Sequence, residues 1–207
     1  MNILLTSFGP FGGDRLNASQ EVADALPDRI GSIRITKLCL PVSFRTASGI
    51  AVDAAERLRP DAVVCLGQAG GRDCITPERV AVNLMDAALP DNDGFQPADL
   101  PVIRDAPAAY FSTLPVKSMV EEMQKGGVPA KLSNTAGTYV CNSLMYAMLH
   151  WTHACGHTVP CGFIHVPYLD EQQQGEGTPA LQKETAVNGI ITCLRVLVSH
   201  GTGTHSP

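Results

Sequence analysis

Residues 61–72 have the sequence DAVVCLGQAGGR, and this stretch decides the fold class. Asp61 to Leu66 is an almost continuous apolar run, which is the pattern of a parallel strand covered on both faces. The glycine-rich segment Gly67 to Arg72 marks the loop that follows this strand. The stretch therefore predicts a buried strand of an α/β sheet with a loop at its carboxyl end.

The flanking segments alternate between strand and helix patterns. Ser43 precedes an apolar stripe from Phe44 to Leu58 that has the spacing of one helix face. Pro90 to Pro107 predicts a long loop excursion. Further strands are predicted at 2–6, 33–42, 79–84 and 159–166, and further helices at 18–26, 115–125 and 141–151. Thr178-Pro179 supplies an N-cap residue and a first-turn proline, which predicts the start of a last helix there. This order predicts a three-layer α/β/α sandwich with an open, mostly parallel twisted sheet.

Size and composition fit one domain over residues 1–207. The chain is 44% hydrophobic, enough for a sizeable core, and 201–207 are expected to form a flexible tail. A net charge of -5 without a Lys/Arg cluster argues against a nucleic-acid partner. The apolar runs are too short to cross a bilayer, and the N-terminus lacks a signal-peptide pattern. Seven cysteines without a Cys-x-x-Cys pair fit a reducing cytoplasm.

Cys141 is the first candidate for chemistry, because it follows the turn-forming stretch Thr135 to Val140 and starts a predicted helix. The unpaired N–H groups and the positive dipole end of a helix favour the reactive thiolate. The same amides can hold a developing oxyanion. A buried cysteine at a helix start explains the same pattern, so position alone leaves both interpretations open.

A nucleophilic cysteine needs a base, and an acid that orients the base. His165 ends an apolar strand pattern and is the best placed of the six histidines. Glu78 precedes a predicted strand and is the candidate acid. The alternatives are a satisfied histidine at a sheet end and a solvated surface carboxylate.

Two further segments concern ligand binding. Phe8 and Phe11 follow the first strand, where they could form the walls of an apolar pocket or pack under a loop. The segment Gly67 to Gly71 matches neither a dinucleotide fingerprint nor a P-loop. It predicts a close backbone approach to some ligand, without a nucleotide cofactor.

Six motifs together resemble the pyroglutamyl peptidase I family, also called pyrrolidone-carboxylate peptidase. They are FGPFGG at 8–13, GQAGGR at 67–72, PERVAVN at 77–83, LPDN at 89–92, AGTYVCN at 136–142 and GFIHVPY at 162–168. Their order and spacing agree with the family along nearly the whole chain. The resemblance identifies a thiol protease that removes an N-terminal pyroglutamyl residue from peptides.

The resemblance implies a triad in which Cys141 attacks the scissile carbonyl, His165 transfers the proton and Glu78 orients His165. It also implies an α/β/α fold, no cofactor, a cytoplasmic location and a homotetramer. A pyroglutamyl end is a neutral lactam, which apolar walls and amide hydrogen bonds suit. The family's substrate contacts would fall on four residues of this chain, namely Phe8, Phe11, Gln68 and Val140.

Three positions depart from the family pattern. Ser7 replaces a usual glycine, Ala88 a usual arginine and Ser143 a frequent histidine, and none of these is a triad member. The missing arginine is the most consequential, because that cation would support the active-site loop or the charge near Glu78. Reduced turnover is expected, and a weakly active or inactive homologue that binds pyroglutamyl peptides is one alternative.

A zinc-binding protein is the other alternative. The segment 150–161 brings together side chains of the types that bind zinc, His150, His153, Cys155, His157 and Cys161. Their spacing lacks the paired pattern of a specific zinc site, and a polar loop after a helix explains it more simply. No metal is therefore expected.

Overall fold

The computed structural model describes residues 1–154, 156, 159–172 and 175–201. Its strands are β1 (Asn2–Phe8), β2 (Arg29–Ile30), β3 (Ile33–Leu40), β4 (Ala62–Gln68), β5 (Thr76–Pro77), β6 (Val80–Val82), β7 (Ala109–Phe111), β8 (Cys161–Val166), β9 (Tyr168–Leu169) and β10 (Ala180–Leu181). Its helices are α1 (Ala18–Ala25), α2 (Ala47–Leu58), α3 (Val116–Lys125), α4 (Val140–Ala154) and α5 (Lys183–Gly201), with a 3-10 turn at Asp170–Gln172. None of these helices combines the length and apolar character that a membrane crossing requires.

The main sheet has the strand order β2-β3-β1-β4-β8-β5. Strands β3, β1, β4 and β8 are parallel, whereas the two-residue strands β2 and β5 run antiparallel at the two edges. β4 therefore lies inside the sheet between β1 and β8. This confirms the buried parallel strand that the apolar run predicted.

Helices cover both faces of the sheet, and β4 shows how. Val64 and Leu66 point into a core shared with α1, α3 and α5, whereas Val63 and Cys65 point into a second core shared with α2 and α4. All four side chains are fully buried. Burying a valine or leucine of this kind stabilises the fold by about 1.5–3 kcal/mol. The predicted α/β class is confirmed, with a helix layer on each side of the sheet.

The predicted start of the last helix is wrong. Thr178-Pro179 does not open α5, which begins at Lys183. Ala180 and Leu181 instead pair with Tyr168 and Leu169 as the parallel strands β10 and β9. Long-range strand pairing has overridden the local capping pattern at this point.

The helix predicted from Ser43 also begins later, because a tertiary contact uses the serine side chain. α2 starts at Ala47, with Thr46 in the N-cap position. Ser43 instead donates its hydroxyl hydrogen to Asp93 Oδ2 at 2.5 Å. The serine therefore connects the segment before α2 to the excursion at 90–107.

This excursion contains no helix or extended strand and is organised by the buried residue Asp91. The Asp91 carboxylate accepts hydrogen bonds, 2.8–3.0 Å long, from the backbone N–H groups of Phe44, Asp93 and Phe95. Tyr139 adds a hydrogen bond from its hydroxyl to the backbone of the excursion at 2.9 Å. The excursion is thereby fastened to the turn that precedes α4.

Candidate active site

Cys141 is the second residue of α4, as the sequence pattern predicted to within one residue. Its neighbour Asn142 fixes this end of the helix, because its side chain accepts from Val82 N at 2.9 Å and donates to Val82 O at 2.9 Å. A further hydrogen bond runs from Asn142 Nδ2 to Leu84 O at 3.0 Å. A fully buried amide with all these partners holds the start of α4 against β6.

The Cys141 sulfur lies over the carboxyl end of β4. A β-carbon built on Gly67 would lie 2.9 Å from Cys141 Sγ and 2.6 Å from Phe163 Cζ. Gly67 is the register partner of His165 on β8. Paired residues of neighbouring strands point to the same face of a sheet, and the Phe163 and His165 rings lie 4.7 Å apart. The thiol and the imidazole thus share one face of the sheet at adjacent strand ends.

Replacing Gly67 with alanine is expected to lower the free energy of unfolding by about 1–3 kcal/mol, because the new methyl group has no space beside Phe163 and Cys141. Urea unfolding followed by circular dichroism measures this change. Gly49→Ala is the matched control, since Gly49 lies in α2 and a β-carbon there meets no atom within 4 Å. Equal unfolding free energies for Gly67→Ala and the wild type would contradict the close approach of the thiol to β4.

His165 and Glu78 form a direct buried contact. His165 Nδ1 lies 2.7 Å from Glu78 Oε1, with 5% of the histidine side chain and none of the glutamate side chain exposed. Arg72 Nη1 approaches the same oxygen at 2.6 Å. Arg72 also hydrogen-bonds the Thr76 hydroxyl and the Thr135 carbonyl oxygen. Glu78 is therefore a buried, paired carboxylate, and the surface-charge alternative is wrong.

The charges of these groups follow from their surroundings. Burial alone would raise the pKa of Glu78, but the hydrogen bond and charge of His165 and the hydrogen bond from Arg72 hold this pKa below its ordinary value. Burial lowers the pKa of His165, against the opposite effect of Glu78. The resting pair at neutral pH is thus an ionised carboxylate and a neutral imidazole.

This charge state determines the tautomer of His165. An ionised carboxylate only accepts hydrogen bonds, so the ring proton must lie on Nδ1, which faces Glu78. The other ring nitrogen, Nε2, then carries a lone pair. His165 is consequently prepared to accept a proton at Nε2.

The thiol of Cys141 rests protonated. Burial and, after it, the negative charge of Glu78 raise its pKa to about 12, against the opposite effect of Arg72. Burial therefore opposes the favourable effect that the helix end has on the thiolate. A neutral thiol and a neutral imidazole can react only by proton transfer during nucleophilic attack.

The four candidate substrate contacts differ in exposure. Phe8 and Val140 are buried, at 2% and 1% exposure, in the core between the sheet and helices α2 and α4. Phe11 is half-buried and contacts the Tyr139 ring, with the ring centroids 5.3 Å apart. Gln68 is half-buried at the end of β4, one residue beyond Gly67. Phe11 and Gln68 are thus the two candidates with accessible surface.

Sequence reasoning missed the aromatic cluster around Phe11. The Tyr139 ring also contacts Phe44, with centroids 5.1 Å apart, and Phe44 contacts Phe95 at 6.1 Å. These residues are far apart in the sequence, and no periodic pattern connects them. Arg72 was missed as well, although an arginine that ends a glycine-rich loop was the available signal.

Ala88, where the family pattern expects an arginine, lies in the segment before the excursion at 90–107. Ala88 is exposed. Two residues before it, Asp86 donates its backbone N–H to Thr138 O at 3.1 Å and accepts a hydrogen bond from the Thr138 hydroxyl at its carbonyl oxygen at 2.7 Å, which holds this segment against the turn before Cys141. Arg72 supplies the cation beside Glu78. Reduced turnover from the loss of the arginine at position 88 stays a prediction.

The zinc alternative finds no support in the described part of the chain. No group of three or more potential metal ligands occurs there. Cys161 is buried in β8, His153 is exposed, and His150 Nδ1 lies 2.9 Å from the Tyr110 hydroxyl. Cys155 and His157 lie outside the described residues.

A thiol, an imidazole and a paired carboxylate near two adjacent strand ends are the groups that a cysteine-type hydrolase uses.

Comparison with known proteins identifies the family. The model of the pyroglutamyl peptidase family matches residues 1–200, and the chain belongs to this family. The pyrrolidone-carboxylate peptidase of Thermococcus kodakarensis is 45% identical over 197 residues, covering 95% of this chain and 96% of the relative. That of Thermococcus onnurineus is 46% identical over 195 residues, covering 94% of this chain and 98% of the relative.

Solved structures agree with this assignment. A mutant pyrrolidone carboxyl peptidase from the hyperthermophile Pyrococcus furiosus superposes with a TM-score of 0.92 at 37% identity, covering 97% of this chain and 99% of that chain. Pyroglutamyl peptidase I of Bacillus amyloliquefaciens gives a TM-score of 0.92 at 38% identity, covering 96% and 97% of the two chains. The chain is thus a cysteine-type hydrolase of the pyroglutamyl peptidase family.

Proposed function

We propose that this enzyme hydrolyses the bond after an N-terminal pyroglutamyl residue, with Cys141 as nucleophile, His165 as general base and Glu78 as the group that orients His165. The observation that carries the proposal is the 2.7 Å contact between His165 Nδ1 and Glu78 Oε1, beside a thiol placed over the strand next to His165. Glu78 fixes the tautomer that leaves Nε2 free to accept the thiol proton.

Acylation begins when His165 Nε2 takes the proton of Cys141 as the sulfur attacks the pyroglutamyl carbonyl carbon. Negative charge develops on the carbonyl oxygen, and N–H groups of the first turn of α4, which lack intrahelical partners, are available to stabilise it. The imidazolium then returns the proton to the departing amine. The products of this step are a thioester on Cys141 and the shortened peptide.

Deacylation repeats this chemistry with water. His165 takes a proton from the water as its oxygen attacks the thioester carbonyl, and returns that proton to the sulfur as the C–S bond breaks. Free pyroglutamate leaves, and the neutral thiol is restored.

Recognition of the lactam would rest on Phe8, Phe11, Gln68 and Val140. The aromatic cluster around Phe11 gives an apolar wall for the ring methylenes. Gln68 Oε1 accepts a hydrogen bond from Ala18 N at 2.7 Å, which leaves the amide nitrogen of Gln68 as the group that can donate to the lactam carbonyl. A prolyl ring lacks this carbonyl and would leave the donor unpaired.

The remaining expectations from the sequence and from the family resemblance stay predictions. They are one catalytic domain over residues 1–207, a cytoplasmic location, no cofactor, no nucleic-acid or membrane partner and a homotetramer. The strongly exposed side chains of Phe111 and Leu89, at 70% and 62%, are available for contacts between subunits.

The test of the proposed function compares fluorogenic pyroglutamyl and prolyl conjugates with the purified protein. We expect release of the fluorophore from the pyroglutamyl conjugate with a kcat/KM about 10⁴-fold higher than that for the prolyl conjugate. Iodoacetamide should abolish turnover and EDTA should leave it unchanged, since a thiol mechanism needs no metal. Binding without turnover would indicate an inactive homologue, and loss of activity on chelation would indicate a metal enzyme.

A further inference from the structure

Gln172, at the end of the 3-10 turn after β9, connects three parts of the site that are distant in sequence. Its Oε1 accepts a hydrogen bond from Leu169 N at 2.9 Å. Its Nε2 donates to Gln68 Oε1 at 2.9 Å and to Leu16 O at 3.3 Å. Both the amide oxygen and the amide nitrogen of this half-buried side chain thus have hydrogen-bond partners in the protein.

Chemistry makes the orientation of both amides unambiguous. A backbone N–H can only donate, so the Gln172 atom that faces Leu169 N must be the oxygen. The nitrogen of Gln172 therefore faces Gln68, and the Gln68 atom that meets both this nitrogen and Ala18 N must also be an oxygen. Two donors on one side of the Gln68 amide hold its oxygen there.

The nitrogen of Gln68 is left for another partner. Within the described ranges, no residue accepts a hydrogen bond from Gln68 Nε2. Gln68 follows Gly67, the residue against which the Cys141 sulfur packs. An amide nitrogen with a free N–H at this strand end suits a carbonyl oxygen of a bound ligand.

We infer that Gln172 is a positioning residue for substrate selection, because it holds the Gln68 amide with its nitrogen turned toward the lactam carbonyl of the substrate. The inference rests on the proposed function, in which Gln68 contacts that carbonyl. Without Gln172 only the Ala18 N–H would oppose rotation of the amide. A rotated amide would present its oxygen to the lactam carbonyl, and two acceptors repel each other.

Two variants of Gln172 separate orientation from simple packing. Gln172→Met keeps the length of the side chain and removes its polar atoms, and it should lower kcat/KM for the pyroglutamyl conjugate about 10-fold. Gln172→Glu places a carboxylate against Gln68 Oε1 and attracts the amide nitrogen, so a larger loss of about 100-fold is expected. The loss should appear mainly in KM. The slow turnover of the prolyl conjugate should stay within about 3-fold, since it makes no use of the donor.

A double-mutant cycle with Gln68→Met tests whether the effect passes through Gln68. In that background neither Gln172 variant should lower kcat/KM further, because the group that it positions is gone. Gln124→Met is the matched control, since Gln124 makes a comparable hydrogen bond from its amide nitrogen to Ala130 O at 2.8 Å in another part of the fold. This control should leave selectivity unchanged, whatever it does to stability.

The outcomes also distinguish this inference from the proposed function. A wild type that turns over the pyroglutamyl conjugate, together with Gln172 variants of unchanged selectivity, would overturn the positioning role and leave the function standing. Equal losses for both conjugates would show that Gln172 acts through stability alone and would likewise overturn it. A wild type without pyroglutamyl turnover would remove the function on which the inference rests.

Discussion

Cys141→Ser is expected to lower kcat/KM for a pyroglutamyl conjugate by about 10⁴-fold or more, the largest effect of any single substitution in this chain. A serine hydroxyl is a much weaker nucleophile than a thiol, because its oxygen stays protonated far above neutral pH. The smaller oxygen creates no clash with Gly67 or Phe163. Steady-state turnover measures the loss, and urea unfolding shows whether the fold is retained.

A second buried cysteine provides the control for this substitution. Cys193 lies in α5, on the opposite side of the sheet from α4, where its sulfur contacts Met123. Cys193→Ser is expected to reduce stability by placing a hydroxyl in an apolar core, with kcat/KM preserved. Full activity in Cys141→Ser would refute the assigned nucleophile.

Glu78→Gln is expected to lower kcat/KM by about 10³- to 10⁴-fold, the second largest effect. A neutral amide no longer requires the proton of His165 to lie on Nδ1, so the productive tautomer is lost in part of the molecules. The substitution also leaves the partly buried Arg72 without its ionic partner. Glu122→Gln is the matched control, because Glu122 pairs with Lys125 at the surface and lies outside the site.

The pH dependence gives Glu78→Gln a second measurement. Activity requires a neutral His165, so kcat/KM should fall as the pH decreases through the His165 pKa, which burial places below its ordinary value. Glu78 raises this pKa through its hydrogen bond and its charge. Removing Glu78 should therefore lower the pKa and move the acid limb of the profile to lower pH. An acid limb that stays at the same pH or moves to higher pH would show that Glu78 does not face the base.

The fold was predictable where burial alone decides the structure. The apolar run before Gly67 indicated a strand covered on both faces, and β4 occupies the middle of the sheet. The predictions that were wrong involve partners distant in sequence. Ser43 binds Asp93, and the residues after Pro179 pair with β9, so local capping patterns could not place either helix start.

In the candidate site, too, local patterns predicted some features, whereas contacts between distant residues decided the others. Helix position and strand-end position suggested Cys141 and His165, a position before a predicted strand suggested Glu78, and the resemblance gave the three residues their roles. The protonation state of the thiol could not be predicted from sequence, because burial depends on everything packed around α4. Arg72 and Gln172 act through tertiary contacts with Glu78 and Gln68, and no spacing rule expresses such contacts.

The carboxylate of Asp91 has a consequence for the energetics of binding. Three backbone N–H groups converge on it, so the loop that borders the aromatic cluster is ordered before any ligand arrives. A binding wall that is already rigid requires no loss of loop conformational entropy on association. The affinity for a group as small as a five-membered lactam can then come from a few contacts, since none of their free energy is spent on folding the loop.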